Sequence, residues 1–216
     1  MKKNLALCVA LGCWLLSCSR STYVKQSADV QGQTFAIVPF DVVITKSQNS
    51  NKNSTQAQLN EQAKSEAYRY QSSTYNYMLG RQKDFVMAFQ DPDETNTLLK
   101  RAKISYEKLG DYTKSELAKM LKVDGIMSGK LYRKERMSQE LGKAIDVFAS
   151  KAELGLGKMQ TNEATLNLSL YSSPERSVVW TYQYDLSGTA DYTPESVAAA
   201  LMQDAARSFP YRKKKR

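Results

Sequence analysis

The chain has 216 residues, a formal net charge of +9 and no histidine, which excludes Ser-His-Asp and Cys-His catalysis, histidine general bases and every His-ligated zinc site. All three cysteines, Cys8, Cys13 and Cys18, lie at or before residue 18, so the rest of the chain has no thiol chemistry and no disulfide, and its core alone must hold it.

Lys2 and Lys3 precede an apolar run from Leu5 to Leu16, the layout of a secretory signal peptide. At roughly a dozen residues it is too short to span, because a transmembrane helix needs about 20. Leu15-Leu16-Ser17-Cys18 resembles the lipobox of bacterial lipoproteins. That resemblance implies removal of residues 1–17, a diacylglycerol thioether on Cys18 with palmitate-type acyl chains, and a covalent membrane anchor. Each buried methylene then adds about 0.8 kcal/mol of anchoring. Ser19 stands where an aspartate would retain a lipoprotein at the inner membrane, which by the same resemblance implies the outer membrane, facing the periplasm. The lost segment carries Lys2 and Lys3 and no acid, so the net charge falls from +9 to +7. Outside the cytoplasm such an excess meets lipid headgroups, lipopolysaccharide and cell-wall polymers, and nucleic acid is not an expected partner.

Residues 18–33 are polar without periodicity and read as the lipidated cysteine and a flexible tether, reaching roughly 50 Å at about 3.5 Å per residue. Thr34 to Phe40 is a short apolar run that predicts a buried strand with Pro39 at its end, and Val42 to Thr45 extends it or pairs beside it. Ser47 to Gln56 is polar and of low complexity, so it reads as a mobile loop. From Gln58, Leu59, Ala63, Ala67, Tyr70, Tyr77 and Met78 recur near helical spacing and predict a long helix ending at Gly80. Tyr68 and Tyr75, seven apart on another face of it, form an aromatic recognition stripe or, as such tyrosines more often do, cover sheet edges. Phe85 to Phe89 is apolar enough for burial. Asp91 as N-cap, Pro92 in first position and acids in the first turn open a helix to about Lys103.

Thr113 and Glu116 have the capping-box spacing, ahead of a helix with Leu117, Met120 and Leu121 on its apolar face. A strand follows from Ile126 to about Met137, with a charged second half suited to an edge. Leu141, Ile145, Phe148 and Ala152 form one helical stripe that ends at Gly155 and Gly157, and the 141–152 helix either packs on the sheet or presents a surface to a partner. Ala164, Leu166, Leu168 and Leu170, then Val178, Trp180, Tyr182, Tyr184 and Leu186, alternate with polar residues on either side of the turn SSPERS. They predict an antiparallel hairpin with one buried face. Pro194 opens a last helix carrying Val197, Leu201, Ala205 and Phe209, and the basic run Arg212, Lys213, Lys214, Lys215 and Arg216 follows Pro210.

This order predicts an α+β fold, a mixed sheet with a C-terminal antiparallel hairpin packed against several helices, as one domain over residues 34–211 followed by the basic tail 212–216. TFAIVPF, ELAKMLKVDGIMSGKL, the stretch TNEATLNLSLYSSPERSVVWTYQYDLSG and the closing SFPYRK resemble one group of periplasmic lipoproteins. It comprises relatives of the curli secretion channel, lipoprotein activators of penicillin-binding proteins, and the N-terminal domain of the Tol-system propeller protein. The resemblance implies an anticodon-binding-like or Tol N-terminal-domain-like sandwich. Asp124-Gly125 fits the family pattern, Lys122 departs from its glycine, and Trp180 reads as core.

The carboxylates Asp91, Asp93 and Glu94 are accounted for by helix capping, and no nucleophile, phosphate loop or metal site is recognised, so neither enzyme activity nor a cofactor is expected. The expectation is a lipid-anchored, non-catalytic binding or assembly module. Its partners would be the membrane through Cys18 and an envelope protein, with Arg212 to Arg216 suited to anionic lipid or glycan at about 1 kcal/mol per basic residue near a charged surface. The alternative is a subunit of an oligomeric outer-membrane secretion channel of the curli type, which leaves a homo-oligomer open. It needs two membrane hairpins with strands of about 9 to 11 residues, and the helical pattern between Met137 and Glu163 does not supply them.

Overall fold

The computed structural model describes residues 20–46, 55–135, 162–188, 200, 202–205 and 209–213. The fold is α+β. In chain order the described elements are β1 (Arg20–Val24), β2 (Thr34–Ile37), β3 (Asp41–Lys46), α1 (Gln56–Leu79), β4 (Ala88–Gln90), α2 (Pro92–Arg101), α3 (Lys114–Leu121), β5 (Gly125–Glu135), β6 (Asn162–Ser172) and β7 (Ser177–Gly188). The seven strands form one mixed sheet in the order β1-β7-β6-β5-β2-β4, with β3 also paired to β5.

β2 and β3 are two successive segments on the same side of β5, broken at Val38-Pro39-Phe40 because proline has no N–H for a ladder. β2 runs parallel to Gly125–Met127 and β3 parallel to Lys130–Glu135. At the break the Phe40 ring lies over Gly129, where a Cβ would stand 2.3 Å from a ring carbon. Phe40 then stacks on Tyr70 of α1 with centroids 5.7 Å apart. Gly125 serves Phe35 in the same way, since a Cβ there would lie 2.2 Å from the Tyr171 carbonyl and 2.4 Å from the Phe35 ring.

α1 starts two residues before the expected Gln58, because Thr55 and Gln58 make a reciprocal capping box that the sequence reading passed over. It buries Leu59, Ala63, Ala67, Tyr70 and Met78 against one face of the sheet. The capping readings for Asp91 and for Thr113 with Glu116 hold: Asp91 accepts from the Asp93 N–H at 2.8 Å, and the second box is complete. α2 and α3 cover the other face only at β2 and the start of β5, where Leu99, Leu117 and Leu121 pack on Ala36, Val38 and Ile126. Phe85 and Met87 are buried as expected. The chain just after them forms β4, a parallel strand beside β2.

The hairpin forms with a tighter turn, Ser173–Arg176. Leu166, Leu168, Leu170, Trp180 and Tyr182 are buried. A register shift at Leu170/Tyr171 changes the alternation near the turn, so Val179 is fully buried and Val178 half-buried. Met202, Ala205, Phe209 and Tyr211 close this core, with Phe209 edge-on to both Trp180 (5.0 Å) and Phe85 (5.4 Å).

The tether is the main correction. From Arg20 onward the chain belongs to the domain: β1 pairs antiparallel with β7, Val30 is 1% exposed, and Gly32 N–H donates to the Val86 carbonyl at 2.8 Å. Lys25 is ion-paired with Glu175 at 2.7 Å. An edge strand of five residues is too short to show periodicity, and Val30 is a lone apolar anchor in a polar stretch. The expected helix at 141–152, the loop around 47–54, Cys18 and residues 214–216 lie outside the described residues.

Candidate binding face

Alternation decides which side chains the long strands present. Leu131, Leu166 and Tyr184 are in register on the α1 side, so their neighbours point to the opposite face. There the register assembles rows across the sheet. One runs Ser21, Gln183, Asn167, Lys130 and Asp41 through five strands. Towards the hairpin turn the next is Tyr23, Thr181, Ser169 and Ser128, and on the other side lie Asp185, Thr165, Tyr132 and Val43. α3 stops short of these rows, leaving Tyr23 53% and Tyr132 45% exposed.

Among the described residues this face has a definite polar geometry. Lys114, the first residue of α3, reaches over the sheet to donate to Ser169 Oγ, which in turn lies 2.9 Å from Ser128 Oγ. Partial burial holds the Lys114 pKa below its usual value, and no carboxylate among the described residues pairs with it. Lys130 has its pKa raised, first by its hydrogen bond with Tyr132 and then by Asp41. Its ammonium lies 3.0 Å from Asp41 and 5.2 Å from the Tyr132 ring centroid. Thr165 donates to Asp185 at 2.7 Å. Between Lys114, Lys130 and the Asn167, Thr181 and Gln183 side lies a hollow of about 420 Å³. Its hydroxyls, amides and two ammonium groups can hydrogen-bond a hydrated polar surface. Among them the Lys114 amine and the Ser169 hydroxyl are held in direct contact.

A second cleft, about 340 Å³, opens between the start of β3, α1 and the turn at Tyr106–Asp111. The Val42 N–H donates to Tyr106 Oη at 3.1 Å, and burial raises the pKa of that phenol. Tyr68 tilts against Tyr106 at 6.3 Å, and Tyr75 packs onto the main core. The cleft is thus floored by groups that already serve packing.

Of the residues singled out in the basic run, Arg212 bridges to Phe85 and the Lys213 N–H donates to the Asp84 carbonyl at 2.9 Å. These bonds dock the start of the run at the hairpin-turn end of the domain, away from the polar rows. Lys114 and Lys130 were not singled out in the sequence. The available signal was the alternation itself, which marks polar positions as outward without saying how far the described helices cover them. Among the described residues no three His, Cys, Asp or Glu are grouped to hold a metal ion, and no helix is long and apolar enough to cross a membrane.

No family model and no curated protein matches the chain. Solved structures that it resembles include the PelC dodecamer from Paraburkholderia phytofirmans, at 10% identity and a TM-score of 0.43, over 92% of this chain and 99% of that one. The lipoprotein GNA1162 from Neisseria meningitidis follows at 8% and 0.41, over 82% and 96%. The LpoB C-terminal domain from Escherichia coli has 10% and 0.30, over 74% and 88%. These likenesses are too distant to carry a residue or a role across.

Proposed function

We propose that this is an outer-membrane lipoprotein, anchored through acylated Cys18 and facing the periplasm, that acts as a non-catalytic binding or assembly module through the open face of β1, β7, β6, β5 and β3. The observation that carries the choice of face is the five-strand row from Ser21 to Asp41, polar throughout and not covered by α3. Side chains of this kind, with Tyr23 and Tyr132 beside them, suit a wet, hydrogen-bonded protein contact of the transient type. The lipid would supply localisation, and the face would supply recognition.

A photo-crosslinking residue at Asn167 or Gln183, in cells making the acylated protein, tests this against the same residue at Arg101 on the far side of α2. Capture of one envelope protein from the first two positions and not the third is expected, with loss of capture in Cys18→Ala. Equal capture from all three positions would reject the face. Self-crosslinks alone would redirect the reading to an assembly of copies of this chain.

A further inference from the structure

We propose that the hollow beside Lys114 receives one carboxylate, the side chain of an aspartate or glutamate on the partner protein. This rests on the reading of the polar rows as a protein-binding face, and it names the group on the partner that the face recognises.

Lys114 is placed where its charge is disfavoured twice. As the first residue of α3 it stands at the positive end of the helix dipole, and burial lowers its pKa. A neighbouring acid would offset both effects. The nearest one in the helix is Glu116, whose carboxylate is taken up by the Thr113 N–H and hydroxyl, each at 2.7 Å. The described residues lining the hollow supply hydroxyls, amides and the two lysines but no acid.

A count of hydrogens leads to the same group. Among the described residues Lys114 spends one of its three ammonium hydrogens on Ser169 Oγ, and Ser169 and Ser128 share one further hydrogen bond at 2.9 Å. Two ammonium hydrogens and one serine hydrogen are left over for an acceptor. A carboxylate only accepts, and its bonds to an ammonium group are of the strong, charge-assisted kind.

Charge then selects a single carboxylate over a larger anion. Lys130 is already paired with Asp41 at 3.0 Å, and Asp185 stands on the neighbouring row. The uncompensated charge of the hollow is therefore that of Lys114 alone. One carboxylate matches it, whereas phosphate or an anionic bilayer brings more negative charge towards Asp41 and Asp185. The Asn167 and Gln183 amides can hydrogen-bond the backbone on either side of the acidic residue.

Two capped peptides, Gly-Glu-Gly and Gly-Gln-Gly, and inorganic phosphate serve as probes for the acylated full-length protein in nanodiscs. The readout is the carbon-13 signal of the Lys114 ε-methylene, assigned by its loss in Lys114→Arg. A saturable shift with the glutamate peptide is expected, with at least about tenfold weaker binding of the glutamine peptide and of phosphate. Ser128→Ala should weaken the glutamate peptide about threefold. Equal responses to the two peptides, or tighter binding of phosphate, would overturn the carboxylate assignment. In cells, a photo-crosslinking residue at Tyr23, exposed beside the hollow, should capture the partner at least about fivefold less in Lys114→Gln than in the unaltered protein. Undiminished capture in Lys114→Gln would reject the carboxylate and leave the face standing. No capture at Tyr23 in either chain, with the glutamate shift intact, would reject the face and with it the partner protein as the source of the carboxylate.

Discussion

Lys122 shows how a single residue can sit against its own preference and still be tolerated. It ends α3 in the left-handed region at φ 56°, ψ 44°, with its N–H bonded to the Ala118 and Lys119 carbonyls. A glycine has no Cβ to crowd the carbonyl there, whereas other residues lose roughly 1–2 kcal/mol. Lys122→Gly should therefore raise stability by about 0.5–1 kcal/mol, partly offset by the greater freedom of glycine in the unfolded chain. Urea denaturation at constant slope reads the change, and a loss of stability would show that the lysine side chain contributes packing of its own. Gly125 and Gly129 are the converse case, since aromatic rings fill the space a Cβ would need.

At the scale of elements, α1 is tied to the sheet by a charge as well as by its apolar stripe. Glu66 on α1 and Arg133 on β5 pair at 3.0 Å with side chains 6% and 11% exposed, and Gln62 also donates to Glu66 at 3.0 Å. Glu66 interrupts a helix face that is otherwise Leu59, Ala63, Ala67 and Tyr70. Breaking such a pair strands the desolvated partner, so Glu66→Ala should destabilise by roughly 3 kcal/mol, whereas replacing both members by apolar residues of similar volume should be much closer to neutral. Thermal and urea unfolding of the two variants separate these outcomes. An effect of Glu66→Ala within about 0.5 kcal/mol, the range of ordinary surface substitutions, would mean that the pair is not held in solution.

At the scale of the molecule, the N-terminal arm distinguishes this reading from a domain on a free tether. β1 covers the edge of β7, Val30 fills the core, and Lys25 and the Asp29 N–H both engage Glu175 at the hairpin turn. A chain that begins at Thr34 loses all of these. Burying Val30 alone is worth about 1.5–3 kcal/mol, so the shortened domain should lose at least about 2 kcal/mol and expose the β7 edge to association. A true tether would leave its unfolding curve unchanged, which makes the comparison decisive.

The sequence by itself determined the α+β class, the hairpin, the first turns of α2 and α3 and the burial of Trp180, because alternation, capping pairs and proline position are local and need no partner to be read. The proposal of an acylated Cys18 rests on sequence alone, through the residues on either side of it. Tertiary structure decided what depends on residues far apart in the chain. RSTYV became an edge strand only because β7 offers a ladder, Val179 replaced Val178 in the core because a bulge shifts the register, and Arg133 entered the interior because Glu66 waits on α1. The polar residues of β5, β6 and β7 were legible one by one as outward-facing, but their exposure as continuous rows depends on where α3 ends. Local patterns report which side of an element is apolar, whereas pairing and coverage are set by which elements meet, and that is decided by the free energy of the assembled whole.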